Sequence, residues 1–150
     1  ISPMAASKTP EPMSADDLKD MEEQADMDGS LVDWKAKGHS VELMGKEKIE
    51  GSDAFKLKLT LKNGDIRYVY IEADSYLELR TDAKRNVRGT ETETEAVASD
   101  YKEVGGLILP HTITQGAKGN PQKQTITVEK IELDVPLDDA RFKMPEVKKQ

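Results

Sequence analysis

One passage limits the possible folds more than any other: "DAFKLKLTLKNGDIRYVYIEAD", residues 53–74. Oily and charged residues alternate, the chain turns at Asn63-Gly64, and the alternation resumes on the return. Period-two patterning around an Asn-Gly pair is the strongest short-range signal for an antiparallel hairpin. A two-residue loop sets Lys62 opposite Asp65, and from there Leu61 faces Ile66, Leu59 faces Tyr68 and Leu57 faces Tyr70. Because side chains alternate along a strand, Phe55, Leu57, Leu59, Leu61, Ile66, Tyr68 and Tyr70 are expected on one side. Lys56, Lys58, Thr60, Lys62 and Arg67 take the other, a solvated face on which lysine stems cover Val69 and Ile71.

The rest of the chain from Ser40 onward also reads as strand. "SVELMGKEKIEG" is a strand with Gly45 as a bulge, and Ala73-Asp74-Ser75 is a turn leading into "YLELRTD". "NVRGTETETEAVAS" alternates threonine with Glu91, Glu93 and Glu95, and three carboxylates on one side of a strand want water. In "VGGLILPHTITQ", Leu107, Leu109, His111 and Ile113 alternate with Ile108, Pro110 and Thr112. Gly105-Gly106 reads as a bulge or kink, and Pro110, which lacks a ladder donor, marks an edge, an end or a bulge. "GAKGNPQ" is a turn, and "QTITVEKIELDV" is a last strand with a phase slip between Val128 and Ile131. Phe142 is the expected anchor of the closing segment.

Ahead of the strands, residues 1–13 carry Pro3, Pro10 and Pro12 and read as a flexible arm. Ser14 is a helix N-cap, with Asp16 and Asp17 in the first turn, and Ala15 to about Asp28 follow a helical period. Leu18, Met21 and Ala25 form a narrow stripe, and Gly29 fits the stop. The expected organisation is one domain over 14–145 between that arm and a charged tail, 146–150. The absence of an initiator methionine at Ile1 suggests a fragment or a processed form.

About seven strands make a sheet roughly 30 Å wide. A helix over 15–28 is about 21 Å long and about 10 Å across, so it shelters only part of the apolar side. Closing a barrel usually takes about eight strands. The oily side is therefore covered by something absent, by a partner or by a bound apolar molecule, unless the sheet curls over its own side chains.

Several functions lack their raw materials. With no cysteine, no thiol nucleophile, disulfide or zinc knuckle can form. The net charge of −7 argues against nucleic acid as a partner, since phosphate binding needs a basic patch. His39 and His111 show no metal-ligand spacing, and "DMDGS" opens like a calcium loop but meets Leu31 and Lys37 where glycine and glutamate are required. No phosphate-binding glycine loop, nucleophile elbow or zinc-protease motif is present, so neither a catalytic site nor a cofactor is expected. Trp34, the only tryptophan, reads as packing of the helix-to-strand connection onto the sheet rather than as a ligand contact.

Taken in order, "GKEKIEG", "FKLKLTLKNGDIRYVYIEADSYLELR", "SDYKEVGGLILPHTI" and "RFKMP" resemble the C-terminal half of the outer-membrane lipoprotein-sorting (LolA-like) family. The strand with Asp100, Tyr101, Lys102, Gly106 and Pro110, and the closing Phe142 and Pro145, are its most specific pieces. The resemblance implies a curled antiparallel half-barrel with one N-terminal helix, a periplasmic or cell-envelope location, and lipoprotein acyl chains held between sheet and helix. The family's N-terminal helix and first strands have no counterpart here, so an unpaired sheet edge open to dimerisation is expected.

The expected function is a non-enzymatic envelope module that holds an apolar ligand or acyl chain. Phe55, Leu57, Leu59, Tyr68, Tyr70, Leu107 and Leu109 line its site, and Leu18 and Met21 form the lid. The alternative is a protein–protein or regulatory module, self-associating through its apolar face or edge, with no lipid ligand.

Overall fold

A computed structural model describes Leu18, Met21 and residues 25–87 and 90–143. The chain divides into two compact units, residues 28–133 and a second made of 1–27 with 134–150. The first unit holds seven strands: β1 (Ser40–Ile49), β2 (Ser52–Thr60), β3 (Ile66–Glu72), β4 (Glu78–Val87), β5 (Thr90–Val104), β6 (Leu107–Ala117) and β7 (Gln124–Thr127). They pair strictly in chain order and antiparallel, so the sheet is an open meander with β1 and β7 as its edges. This is the mainly β, seven-stranded architecture expected from the alternation.

Turn chemistry explains the meander. Glu50 and Gly51 both have positive φ (50° and 95°), as a two-residue turn between right-twisted strands requires. Gly105 and Gly106 do the same (57° and 86°) while Val104 pairs with Leu107, so this pair is the β5–β6 hairpin turn and not a bulge within a strand. Gly45 does sit at a bulge: the β1–β2 register shifts between Leu43 and Gly45. Pro110 pairs with Tyr101 in a β5–β6 register that runs unshifted past Asp100, a left-handed residue, so no bulge marks it; the β6–β7 pairs among the described residues involve only 112–115 of β6. The last strand is shorter than expected. β7 stops at Thr127, and beyond it Val128 N–H still donates to the His111 carbonyl at 2.8 Å.

The central hairpin departs from expectation by one residue. Thr60 pairs with Ile66, Leu59 with Arg67, Lys58 with Tyr68, Leu57 with Val69 and Lys56 with Tyr70. Leu61 N–H donates to the Asp65 carbonyl (2.8 Å) and Gly64 N–H to the Leu61 carbonyl (2.9 Å). The loop therefore holds three residues, Lys62-Asn63-Gly64, with only Gly64 left-handed (φ 92°). The Asn63 amide oxygen accepts from Asp65 N–H at 2.9 Å, which favours this longer turn. A one-residue slip moves every side chain of one strand to the other face.

Cross-strand partners share a face. One face thus carries Val41, Leu43, Phe55, Leu57, Leu59, Val69 and Ile71, and continues through Thr81, Ala83, Ala96 and Ala98 to Ile113 and Ile126. The opposite face carries Lys56, Lys58, Tyr68, Tyr70, Arg80, Asp82, Lys84, Glu93 and Glu95. β4 makes the choice intelligible. In the expected register the leucines of β2 would share a face with Arg80, Asp82 and Lys84, and charges would need desolvating among hydrocarbon. The observed register takes Arg80, Asp82 and Lys84 away from the leucines, and it moves Arg67, expected on the charged face, opposite Leu59, where it reaches Ser30 Oγ at 3.1 Å.

In the second unit Leu18 and Met21 are helical, and Ala25 N–H donates to the Met21 carbonyl at 2.9 Å. The helix has given way to turns by Ala25, short of the expected Asp28, and the rest of 15–24 lies outside the described residues. The same is true of the arm 1–13, of Pro145 and of the tail 146–150. Asp139–Phe142 form a 3-10 turn whose N-cap, Asp138, accepts from Ala140 N–H (2.9 Å). Phe142, expected as an anchor, is 77% exposed.

Candidate apolar ligand-binding face

Alternation along β2 and β6 keeps Phe55, Leu57, Leu59, Leu107 and Leu109 on the apolar face. Tyr68 and Tyr70, expected beside them, project from the other face, because the hairpin slipped. The tyrosine rings meet cations there. Lys56 Nζ lies 5.3 Å from each ring centroid, and the Arg80 guanidinium lies 5.6 Å from that of Tyr70. Leu18 and Met21, expected as a lid, stand half-exposed on their helical turn.

The apolar face has a closed part and an open part. Leu59 is 1% exposed, and Leu61 and Val69 are nearly as deep, so this region is core. The connection before β1 runs beside it. Arg67 Nη1 donates to Ser30 Oγ at 3.1 Å, Lys62 N–H donates to His39 Nδ1 at 3.0 Å, and Trp34 is half-buried with Lys35 over its ring at 5.0 Å. Elsewhere the face opens. Leu43 is 61% and Leu107 53% exposed, and Ile126 on the edge strand is exposed as well. Near the strand ends the Phe55 ring stacks on Tyr76 (centroids 6.5 Å apart) under Lys46 Nζ at 4.5 Å.

The charged face was expected to be simply solvated, but its centre is an ion-pair network. Asp82 is 2% exposed and accepts from Arg80 Nε (2.6 Å) and Nη2 (3.0 Å) and from Lys118 Nζ (3.0 Å). Arg80 also reaches Glu95 (2.8 Å), Lys123 reaches Glu95 (2.5 Å), and Lys84 reaches Glu93 (2.5 Å). Burial disfavours the Asp82 carboxylate, but the Arg80 and Lys118 hydrogen bonds outweigh it and hold its pKa below the ordinary range. Lys123 does the same for Glu95 and Lys84 for Glu93. Burial pushes the Tyr101 phenol up to about 12, helped by the nearby Glu78 charge, while its hydroxyl donates to the Glu78 carbonyl at 2.5 Å. The network was missed in the sequence because its cations come from β4 and the β6–β7 loop, far from the glutamates in chain order. The signal was the period-two run Arg80, Asp82, Lys84, which has to face Glu95 and Glu93 once β4 and β5 pair.

At the far end of the sheet a groove of about 240 Å³ crosses the strand ends, lined among others by Ile49, Glu50, Glu72, Leu79, Val97 and Tyr101. Among the described residues no three His, Asp or Glu side chains converge as a metal site, and no helix is long and apolar enough to cross a membrane.

No family model and no curated protein matches this sequence. Two solved structures share its fold. One is a DUF1329 family protein from Desulfovibrio piger, at TM-score 0.57 and 21% identity, covering 70% of this chain and 45% of the other. The other is a putative outer membrane lipoprotein-sorting protein domain from Vibrio parahaemolyticus, at TM-score 0.55 and 16% identity, covering 69% and 46%. The chain thus spans less than half the length of the structures it matches. At these identities the likeness is one of fold: the open antiparallel sheet is similar to that of lipoprotein-sorting and DUF1329 proteins.

Proposed function

We propose that this chain is a non-enzymatic binding module of the cell envelope, holding an apolar ligand such as a lipoprotein acyl chain against the open part of its apolar face. The observation that carries the reading is the run from buried Leu59 outward to exposed Leu43 on one side, continued on β6 by Leu107. Each methylene moved from water onto such a surface contributes about 0.8 kcal/mol, so one chain of moderate length binds without any polar anchor. The envelope location rests on the fold likeness to a lipoprotein-sorting domain. Phe55, Leu57 and Leu109 extend the same surface.

Mass spectrometry of an organic extract of the purified protein tests this. A co-purifying amphiphile is expected, and Leu43→Asp with Leu107→Asp should remove at least nine-tenths of it while leaving the circular dichroism unchanged. Recovery of the amphiphile in full from the double variant would overturn the reading.

The ten-residue strand β1, an edge with no outer strand partner among the described residues, favours a second reading, a protein–protein module that self-associates along that strand. Light scattering separates the two. A dimer that yields no amphiphile supports the second.

A further inference from the structure

The groove across the strand ends differs in chemistry from the open stretch of the apolar face. Ile49, Leu77, Leu79 and Val97 supply its apolar wall, together with the ring of Tyr101. Its volume, about 240 Å³, falls just below the ~300–1,000 Å³ of ordinary small-molecule sites, so it takes a small molecule or one end of a larger one. The Tyr101 hydroxyl is already committed to the Glu78 carbonyl and offers a ligand no hydrogen.

Two carboxylates line the same groove, Glu50 and Glu72, and no lysine, arginine or histidine does. The nearest lysines on β1 and β5 are occupied, Lys48 by Asp53 at 2.8 Å and Lys102 by Asp100 at 2.7 Å. Glu72 accepts one hydrogen bond, from Ser75 Oγ, a neutral donor that leaves its charge in place. The contrast with the middle of the sheet is sharp: Asp82, Glu93 and Glu95 each have a cation of their own within 3.0 Å. Glu50 also stands at a left-handed position (φ 50°) where asparagine or glycine is the usual occupant. An apolar trough whose only charges, among the described residues, are two carboxylates with no ion-pair partner there is complementary to a molecule that brings a positive charge on an oily body.

We infer that this groove is a second binding site, for a small organic cation with an alkyl or aryl body, its ammonium group set between Glu50 and Glu72. The hydrocarbon part displaces water from Leu79 and Val97, and the positive end satisfies both carboxylates.

Hexylammonium, hexanol and hexanoate, titrated separately into ¹⁵N-labelled protein at pH 7, test the assignment. Saturable amide shifts from hexylammonium are expected at residues 49–52, 72 and 97–101. Hexanol should bind at least fivefold more weakly, and hexanoate not measurably. Glu50→Gln with Glu72→Gln should weaken hexylammonium at least tenfold while the amide shifts of Val69 and Ile113 stay in place, which shows that the sheet is intact. Equal binding of all three probes, shifts centred on Glu93 and Glu95 instead, or no saturable response would each overturn the inference. The hexylammonium shifts at residues 49–52 and 72 should persist in the Leu43→Asp/Leu107→Asp variant, which keeps the outcome independent of any amphiphile bound on the apolar face.

Discussion

Asp82 shows how a single side chain is held. It is a carboxylate almost without solvent, on a sheet face, at the meeting point of Arg80 from its own strand and Lys118 from the loop after β6. A buried ion pair is weak evidence of net stabilisation, but removing one partner strands the others. Asp82→Ala is expected to cost about 3 kcal/mol, the lower end of the range for broken buried pairs, because Arg80 keeps Glu95 and Lys118 keeps Glu93. Urea unfolding measures this. A loss under 1 kcal/mol would mean that Asp82 is a spectator among self-sufficient pairs.

Among the elements, the β2–β3 hairpin decides the most. Its turn needs one left-handed residue, and Gly64 supplies it with open space where a β-carbon would stand. The cost of Gly64→Ala is therefore conformational only, about 1 kcal/mol. Amide exchange should accelerate at Leu61 and Gly64, whose N–H groups close the loop, with smaller effects at β6. Uniform acceleration across all strands would instead indicate that the hairpin and the sheet open as one unit. β3 also shows why this register was hard to read. "IRYVYIE" is oily on both sides, Ile66, Tyr68 and Tyr70 on one and Val69 and Ile71 on the other. Local alternation therefore fits either register equally well, and the decision passes to the third neighbour along the sheet.

Over the whole molecule the charge network predicts a pH response. Asp82, Glu93 and Glu95 have folded pKa values below their ordinary 3.8 and 4.5, so the unfolded chain takes up protons first as the pH falls. Their contribution is fully present above the ordinary range and drains away below about pH 4.5, as pH falls toward and through the lowered folded values. At the alkaline end Tyr101, ordinarily 10.0 and here about 12, stabilises the fold below pH 10 and loses that contribution as pH rises through 12. Thermal unfolding from pH 2 to 11 should show a plateau with a fall on each side. A midpoint unchanged between pH 6 and 3 would contradict the network.

The strands, the order in which they follow one another and most of the turns were present in the sequence, because backbone alternation and turn conformation are local and leave a period-two pattern and glycine punctuation. The leucines of β2 and β6 were recognisable as one surface for the same reason. What the tertiary structure decided is which residues of β3 join them. Tyr68 and Tyr70 crossed to the charged face, since the alternative would have set Arg80, Asp82 and Lys84 among leucines, a cost that appears only when β4 docks. The pairing of Asp82 with Lys118 likewise had no local signal. Two residues so far apart in the chain become neighbours only after β4, β5 and β6 have paired, and electrostatic attraction across that distance is written in no short window.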